Sequence, residues 1–225
     1  MTGDDDPPLP APPPDPPATR RYGWAIGAIG VIAIAYITVN TLRTDGPGAT
    51  GLAAGDRMPA FAAPLALSRL DGDANVATRP GQGQAGNRPA CEVRGPDILN
   101  ICQLGAGHPV VLVFRFDRSG KACQDQLDAV ERVRLRHPGV RFAAVSIRGD
   151  RAALRRLVRT RRWRFPVGYD RDGQVANLYG VGVCPTVTFA RPGRVVTATT
   201  VGLLDERELD ARVGALERAS ARRAP

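Results

Sequence analysis

Four cysteines, Cys91, Cys102, Cys123 and Cys184, are the residues best suited to chemistry in this 225-residue chain. A cysteine thiolate attacks a disulfide sulfur, so an even set of cysteines offers thiol–disulfide exchange as well as structural cross-links. Four cysteines allow three pairings. Cys91 and Cys102 have ten residues between them and flank Gly95-Pro96. That spacing is not that of a zinc knuckle, and a structural disulfide is its simplest reading. Cys123 falls in the first turn of a predicted helix, after Arg118 and Lys121. A helix N-terminus and nearby cations favour a thiolate. The alternative is a small buried hydrophobe, as free cysteine often is. Cys184 directly precedes Pro185.

The other polar candidates carry less. His108 and His137 stand beside prolines at a spacing that gives no ligand set, so no metal is expected. Asp170-Arg171-Asp172-Gly173 lacks the rest of a calcium loop and reads as a turn. The arginines between Arg151 and Arg164 read as a solvated helix face opposite Leu154, Leu157 and Val158. There is no Gly-rich phosphate loop, triad spacing or nucleic-acid motif, and no cofactor is expected. The formal net charge is +9, and Lys121 is the only lysine. That excess favours solubility and anionic lipid headgroups as partners, not nucleic acid.

Several elements must position the cysteines. Residues 1–21 form a Pro-rich tail carrying Asp4, Asp5, Asp6 and Asp15; too polar to bury, it is expected to be disordered. Residues 22–42 contain no charge, and twenty-one residues match a hydrocarbon core of about 30 Å, which predicts one transmembrane helix. Tyr22 and Trp24 mark one edge, and Arg20 and Arg21 before it favour a cytoplasmic N-terminus. A cleaved signal peptide is the competing reading, but its apolar region would be shorter. Residues 43–55 read as a linker and 56–225 as one α/β domain, with a loop insertion near 70–90, mainly Gly72 to Arg88.

Within that domain Val110–Phe116 is an apolar run broken only by Arg115, as a buried strand would be. Gln124–Arg136 reads as a helix stopped by Pro138, Val140–Ile147 as a strand, and Arg151–Arg162 as a helix capped by Asp150. Phe165–Tyr169 is a short strand and Gln174–Tyr179 a short helix. Thr186–Ala190 and Val195–Val201 form a hairpin around Pro192-Gly193, and Asp205 caps a last helix. The order βαβαβαββα implies a parallel sheet with an antiparallel edge.

Four segments resemble the thioredoxin superfamily, and most of all TlpA-like membrane-anchored thiol–disulfide oxidoreductases and redoxins. They are Gly55–Phe61, Val110–Phe114, Tyr179–Thr186 and Pro192–Val195. The resemblance implies a thioredoxin-like fold and a cis bond at Pro185. It departs at the active site, where that family places Trp-Cys-x-x-Cys. Matching Cys123–Glu131 to the family's helix puts Cys123 on the second cysteine and Gly120 on the first, so the usual dithiol is absent. The family's fold would bring the Pro185 loop beside that helix, and Cys123 and Cys184 would then lie within disulfide reach.

The resemblance therefore implies a thiol–disulfide oxidoreductase using Cys123, Cys184 and Pro185, anchored in membrane lipid through residues 22–42 and acting outside the cytoplasm on thiol or disulfide proteins. Two alternatives stay open. One is a redox-inactive binding or scaffold module, favoured by the missing first cysteine. The other is a peroxiredoxin-like peroxidase using Cys123, disfavoured because Gly120 and Phe116 stand where that pattern has threonine and proline.

Overall fold

A computed structural model describes residues 20–43, 50–82, 85–117 and 120–222. Contacts divide the chain into two units, 1–45 and 46–225. Residues 1–19 of the expected tail lie outside the described residues, and Arg20 and Arg21 are already helical.

In the first unit, helix α1 spans Arg20–Arg43, 24 residues. At 1.5 Å per residue this is about 36 Å of helix. Ile26, Ile29, Ile32 and Tyr36 are exposed, as is Trp24 at 76%. Among the described residues no helix is long and apolar enough to cross a membrane. The described side chains of α1 run only from 23 to 39, seventeen residues against the twenty-one expected between 22 and 42.

The second unit is built on a five-stranded sheet flanked by two apolar layers. Strands β1 (Ala62–Pro64) and β2 (Ile98–Asn100) pair antiparallel in a small separate sheet. Helix α2 (Ile101–Leu104) follows β2 directly. The main sheet comprises β3 (Val110–Phe116), β4 (Arg141–Ile147), β5 (Val167–Asp170), β6 (Thr186–Arg191) and β7 (Val195–Val201), in spatial order β5-β4-β3-β6-β7. β3, β4 and β5 are parallel, while β6 and β7 run antiparallel along the other edge. Helices α3 (Lys121–Val133), α4 (Arg151–Arg161), α5 (Gln174–Leu178) and α6 (Glu206–Ala221) complete the expected order.

Alternation along the strands sends Val111 and Val113 to one layer, with Leu127 and Val130 of α3, Leu154 of α4 and Leu209 of α6. Leu112 and Phe114 face the other layer, with Phe61, Val175 and Tyr179. The order βαβαβαββα is found as the sequence predicts, with shifted ends. Gly120 is extended and Cys123 N–H donates to Gly120 O at 3.2 Å, so α3 starts at Lys121 instead of Gln124. β5 begins at Val167 because Pro166 has no N–H to give the ladder.

Three features depart from the sequence reading or go beyond it. The β1–β2 sheet was not expected, since three-residue strands show no alternation. Arg151 and Arg155 are not a solvated face. Arg151 Nη2 donates to Leu65 O at 2.7 Å and to Ser68 Oγ at 3.0 Å, and Arg155 Nε donates to Ala66 O at 2.8 Å. The two side chains clamp the turn after β1 by donating to its carbonyls, Ala66 O among them. Residues 50–55, at the end of the stretch read as linker, are laid against the domain: Leu52 is buried, and Gly51 N–H donates to Gly180 O at 3.1 Å. In the expected insertion, Asn75 is buried, with Nδ2 donating to Arg88 O at 2.9 Å.

Candidate functional site

The predicted redox residues meet at the C-terminal end of β3. There the chain leaves the sheet, passes the undescribed pair Arg118 and Ser119, and enters α3 at Gly120. Cys123 sits in the first turn of α3 and is 3% exposed. A disulfide joins it to Cys184, 61 positions on in sequence, with Cα atoms 5.9 Å apart. Cys184 is half-buried, and Pro185 after it is buried. The Cys184–Pro185 peptide is cis.

Hydrogen bonds fix the loop that presents Cys184. Thr186 Oγ1 donates to Val183 O at 2.7 Å, and Gly202 N–H donates to Pro185 O at 2.8 Å. Behind it Tyr179 is fully buried between Phe61 and Phe114, and its hydroxyl donates to Pro59 O at 2.8 Å. Burial holds that phenol well above its usual pKa. On α3, Gln126 is buried and its Oε1 accepts from Leu204 N–H at 2.8 Å, tying the helix to the segment after β7. Its Nε2 has no partner among the described residues.

The expected electropositive setting is met only in part. Lys121 is exposed and pairs with Asp125 at 2.6 Å, which offsets much of its charge, and Arg118 lies outside the described residues. The first turn of α3 contains no acidic residue. What remains for a Cys123 thiolate is the positive end of a thirteen-residue helix.

Two buried charged side chains lie at the same end of the sheet. Arg115 of β3 is buried, with Nη1 donating to Ser146 Oγ at 2.7 Å and Nη2 to Asp117 O at 3.2 Å. Burial lowers its pKa, and Asp117 partly opposes that. Asp170, the last residue of β5, is fully buried. Burial pushes its carboxyl up to about 6, although Oδ2 accepts from Ala176 N–H at 3.0 Å. Asp170 is therefore a strand-end anchor for α5, and only the residues after it are the expected turn. Sequence reading missed Gln126 and the part played by Asp170. The interruption of an apolar run by Arg115 was the one available signal for a buried cation.

The other expected pair, Cys91 and Cys102, is also joined, with Cα atoms 5.4 Å apart. Asn100 stiffens this loop: Nδ2 donates to Ala90 O at 2.8 Å and Val93 O at 2.7 Å, while Oδ1 accepts from Cys102 N–H at 2.8 Å. The histidines are engaged elsewhere. His137 contacts Glu217 at 2.8 Å and Asp210 at 3.1 Å, and His108 contacts Ala106 O at 3.1 Å. Among the described residues no cluster of three or more His, Cys, Asp or Glu could hold a metal ion. A cleft of about 560 Å³ opens at the opposite end of the sheet, lined by His108, Val140, Arg141 and Arg164 among others, and the cysteines do not reach it.

Residues 95–199 match the family model described as the AhpC/TSA family. Among solved structures, the chain is similar to a putative thiol:disulfide interchange protein DsbE from Chlorobium tepidum. That match has 20% identity and a TM-score of 0.56, and covers 74% of this chain and 99% of that one. It is similar to a DsbF homologue from Corynebacterium diphtheriae at 15% identity and a TM-score of 0.54, over 76% of this chain and 95% of that one. DsbF of Mycobacterium tuberculosis matches at 30% identity and a TM-score of 0.46, over 49% of this chain and 82% of that one. No curated protein matches. By sequence, residues 95–199 are thus similar to the AhpC/TSA family, and the course of the sheet is that of a thioredoxin-like fold.

Proposed function

We propose that this protein is a membrane-anchored, extracytoplasmic thiol–disulfide oxidoreductase whose redox pair is Cys123 and Cys184. The observation that carries this reading is the disulfide between the first turn of α3 and the residue before Pro185. It occupies the corner where the resembled family keeps its CxxC, so two segments supply the pair that one motif usually supplies. Exchange needs a sulfur open to attack and a stabilised leaving thiolate, and this corner offers both.

The exposed apolar side chains beside Cys184 favour a protein as the thiol or disulfide partner. Val183 is 46% and Leu203 53% exposed. The pairing of Thr186 with Val201 continues through Gly202 and Pro185, with Leu203 next in line toward Cys184. An apolar surface of this kind suits a polypeptide better than a small hydrophilic thiol. Anchoring is supported by α1, whose apolar side chains point outward on every side. A helix apolar all round is stable in lipid or in a large core.

The family description favours a second reading, a peroxidase using Cys123, although Gly120 and Phe116 still replace its threonine and proline. In native membranes, stepwise reduction by dithiothreitol followed by alkylation should release two thiols reversibly at Cys123 and Cys184. A pair that resists reduction in the folded state would leave the scaffold reading standing. Turnover with peroxide alone would favour the peroxidase.

A further inference from the structure

The two sulfurs of the pair are not equivalent, and their difference assigns a direction to the chemistry. Cys123 is 3% exposed, in the first turn of α3. Cys184 is half-buried, on a loop whose neighbours Val183 and Leu203 stand in solvent. Exchange requires an incoming thiolate to reach one sulfur and the other sulfur to depart with the bonding electrons. Access selects Cys184 as the sulfur that is reached. The positive end of α3, with no acid in its first turn, selects Cys123 as the sulfur that departs. Gln126 lies one turn further along α3, on the same side of the helix as Cys123, and its buried Nε2 has no partner among the described residues. An unused amide donor is thus available on the flank where the departing thiolate sits.

We infer that Cys184, the residue before the proline, forms the mixed disulfide with the substrate, and that Cys123 of the helix is the leaving and resolving thiol. The inference rests on the oxidoreductase reading above. In the oxidising direction, a substrate thiolate bonds to Cys184 Sγ, the Cys123–Cys184 bond breaks, and Cys123 leaves as a thiolate. A second substrate thiolate then attacks the substrate sulfur of the mixed disulfide and releases Cys184 as a thiolate. The substrate loses two electrons and becomes a disulfide, and the pair gains two electrons and, with two protons from water, becomes two thiols. The reducing direction is the reverse, with Cys184 attacking and Cys123 resolving. This departs from the resembled pattern, in which both roles fall on the helix motif. Here its first position is Gly120, and the outward role passes to the proline loop.

The test uses the oxidised full-length protein in membranes, mixed briefly with glutathione and quenched with an alkylating agent. Peptide mass mapping then locates the glutathione adduct. The expected result is glutathione on Cys184 and the alkyl group on Cys123, in excess by about tenfold because access controls the site of attack. With oxidised glutathione as the disulfide, Cys123→Ser should exchange one glutathione onto Cys184, release the other as a thiol and hold the adduct, whereas Cys184→Ser should form little adduct at the buried Cys123. Glutathione on Cys123, with Cys184 alkylated, would overturn the direction while leaving the oxidoreductase reading intact. A pair that stays closed to glutathione and to dithiothreitol would overturn the oxidoreductase reading and the direction with it.

Discussion

Arg115 Nη1 donates to Ser146 Oγ at 2.7 Å across the β3–β4 ladder, with both side chains buried. Arg115 Nε has no partner among the described residues, so the guanidinium is already under-satisfied. Ser146→Ala is expected to orphan a second N–H and cost about 1–3 kcal/mol. Replacing both residues removes the buried charge together with its partner, so Arg115→Met/Ser146→Ala should be at least as stable as Ser146→Ala alone. Urea unfolding of the wild type, both single variants and the double variant checks this. A double variant less stable than Ser146→Ala would contradict it.

Asp170 gives the domain a pH dependence of definite sign. Burial comes first among the causes that raise its carboxyl from 3.8 to about 6. The folded state therefore binds this proton more tightly than the unfolded chain does. The resulting stability is fully present below about pH 4 and is lost as pH rises through about 6. The change across that window is at most on the order of 3 kcal/mol, because one pKa unit corresponds to about 1.4 kcal/mol. Asp170→Asn should flatten the wild type's decline between pH 4 and 6. Parallel thermal melts over that range make the comparison.

The Cys91–Cys102 bridge should stabilise the domain without taking part in exchange. It closes a short loop between cysteines 11 positions apart, and its removal is expected to cost about 2–3 kcal/mol. Cys91→Ser/Cys102→Ser should lower the urea midpoint and leave the reversible oxidation of Cys123 and Cys184 unchanged. Non-reducing peptide mapping that found either cysteine joined to Cys123 or Cys184 would refute the assignment.

Most of the sheet was legible because its strands bury long β-branched runs, as in Val110–Phe114, and its helices repeat apolar residues at helical spacing, as in Leu127, Val130 and Val133. β1 and β2 were not legible, because three residues apiece are too few to show an alternation. Of the site, the cysteines could be read as residue types, but their partners depend on a fold that brings together positions 61 apart. The arginines of α4 misled the reading because charge alone does not show whether a guanidinium faces water or a row of carbonyls. Asp170 was hidden inside an ordinary turn signal.

The clamp from α4 gives a further expectation. Arg151→Ala/Arg155→Ala removes the donors that hold Leu65 O, Ala66 O and Ser68 Oγ. Amide exchange in residues 65–72 should then accelerate, with β3 and β4 unaffected, and limited proteolysis should cut in that turn first. Unchanged protection there would show that the turn holds without the clamp.

Orientation is tested in cells. Protease added to intact spheroplasts should remove the domain from residue 46 onward, as expected if Arg20 and Arg21 keep the N-terminus inside. Full protection of the domain would reverse the topology.

The bridge from α3 to the proline loop encloses a much larger ring than a CxxC motif would, because 61 positions separate its cysteines. That ring holds β4, α4, β5 and α5. Closing it removes about 4 kcal/mol of freedom from the unfolded chain on the loop-entropy account. By linkage, the same free energy that the closed ring lends to folding is returned by the folded core to ring closure. Each turnover would thus move the molecule between a cinched state and a looser one. The electron count of the pair would then be written into the protein's resistance to heat and to proteases, and so into how long each copy survives.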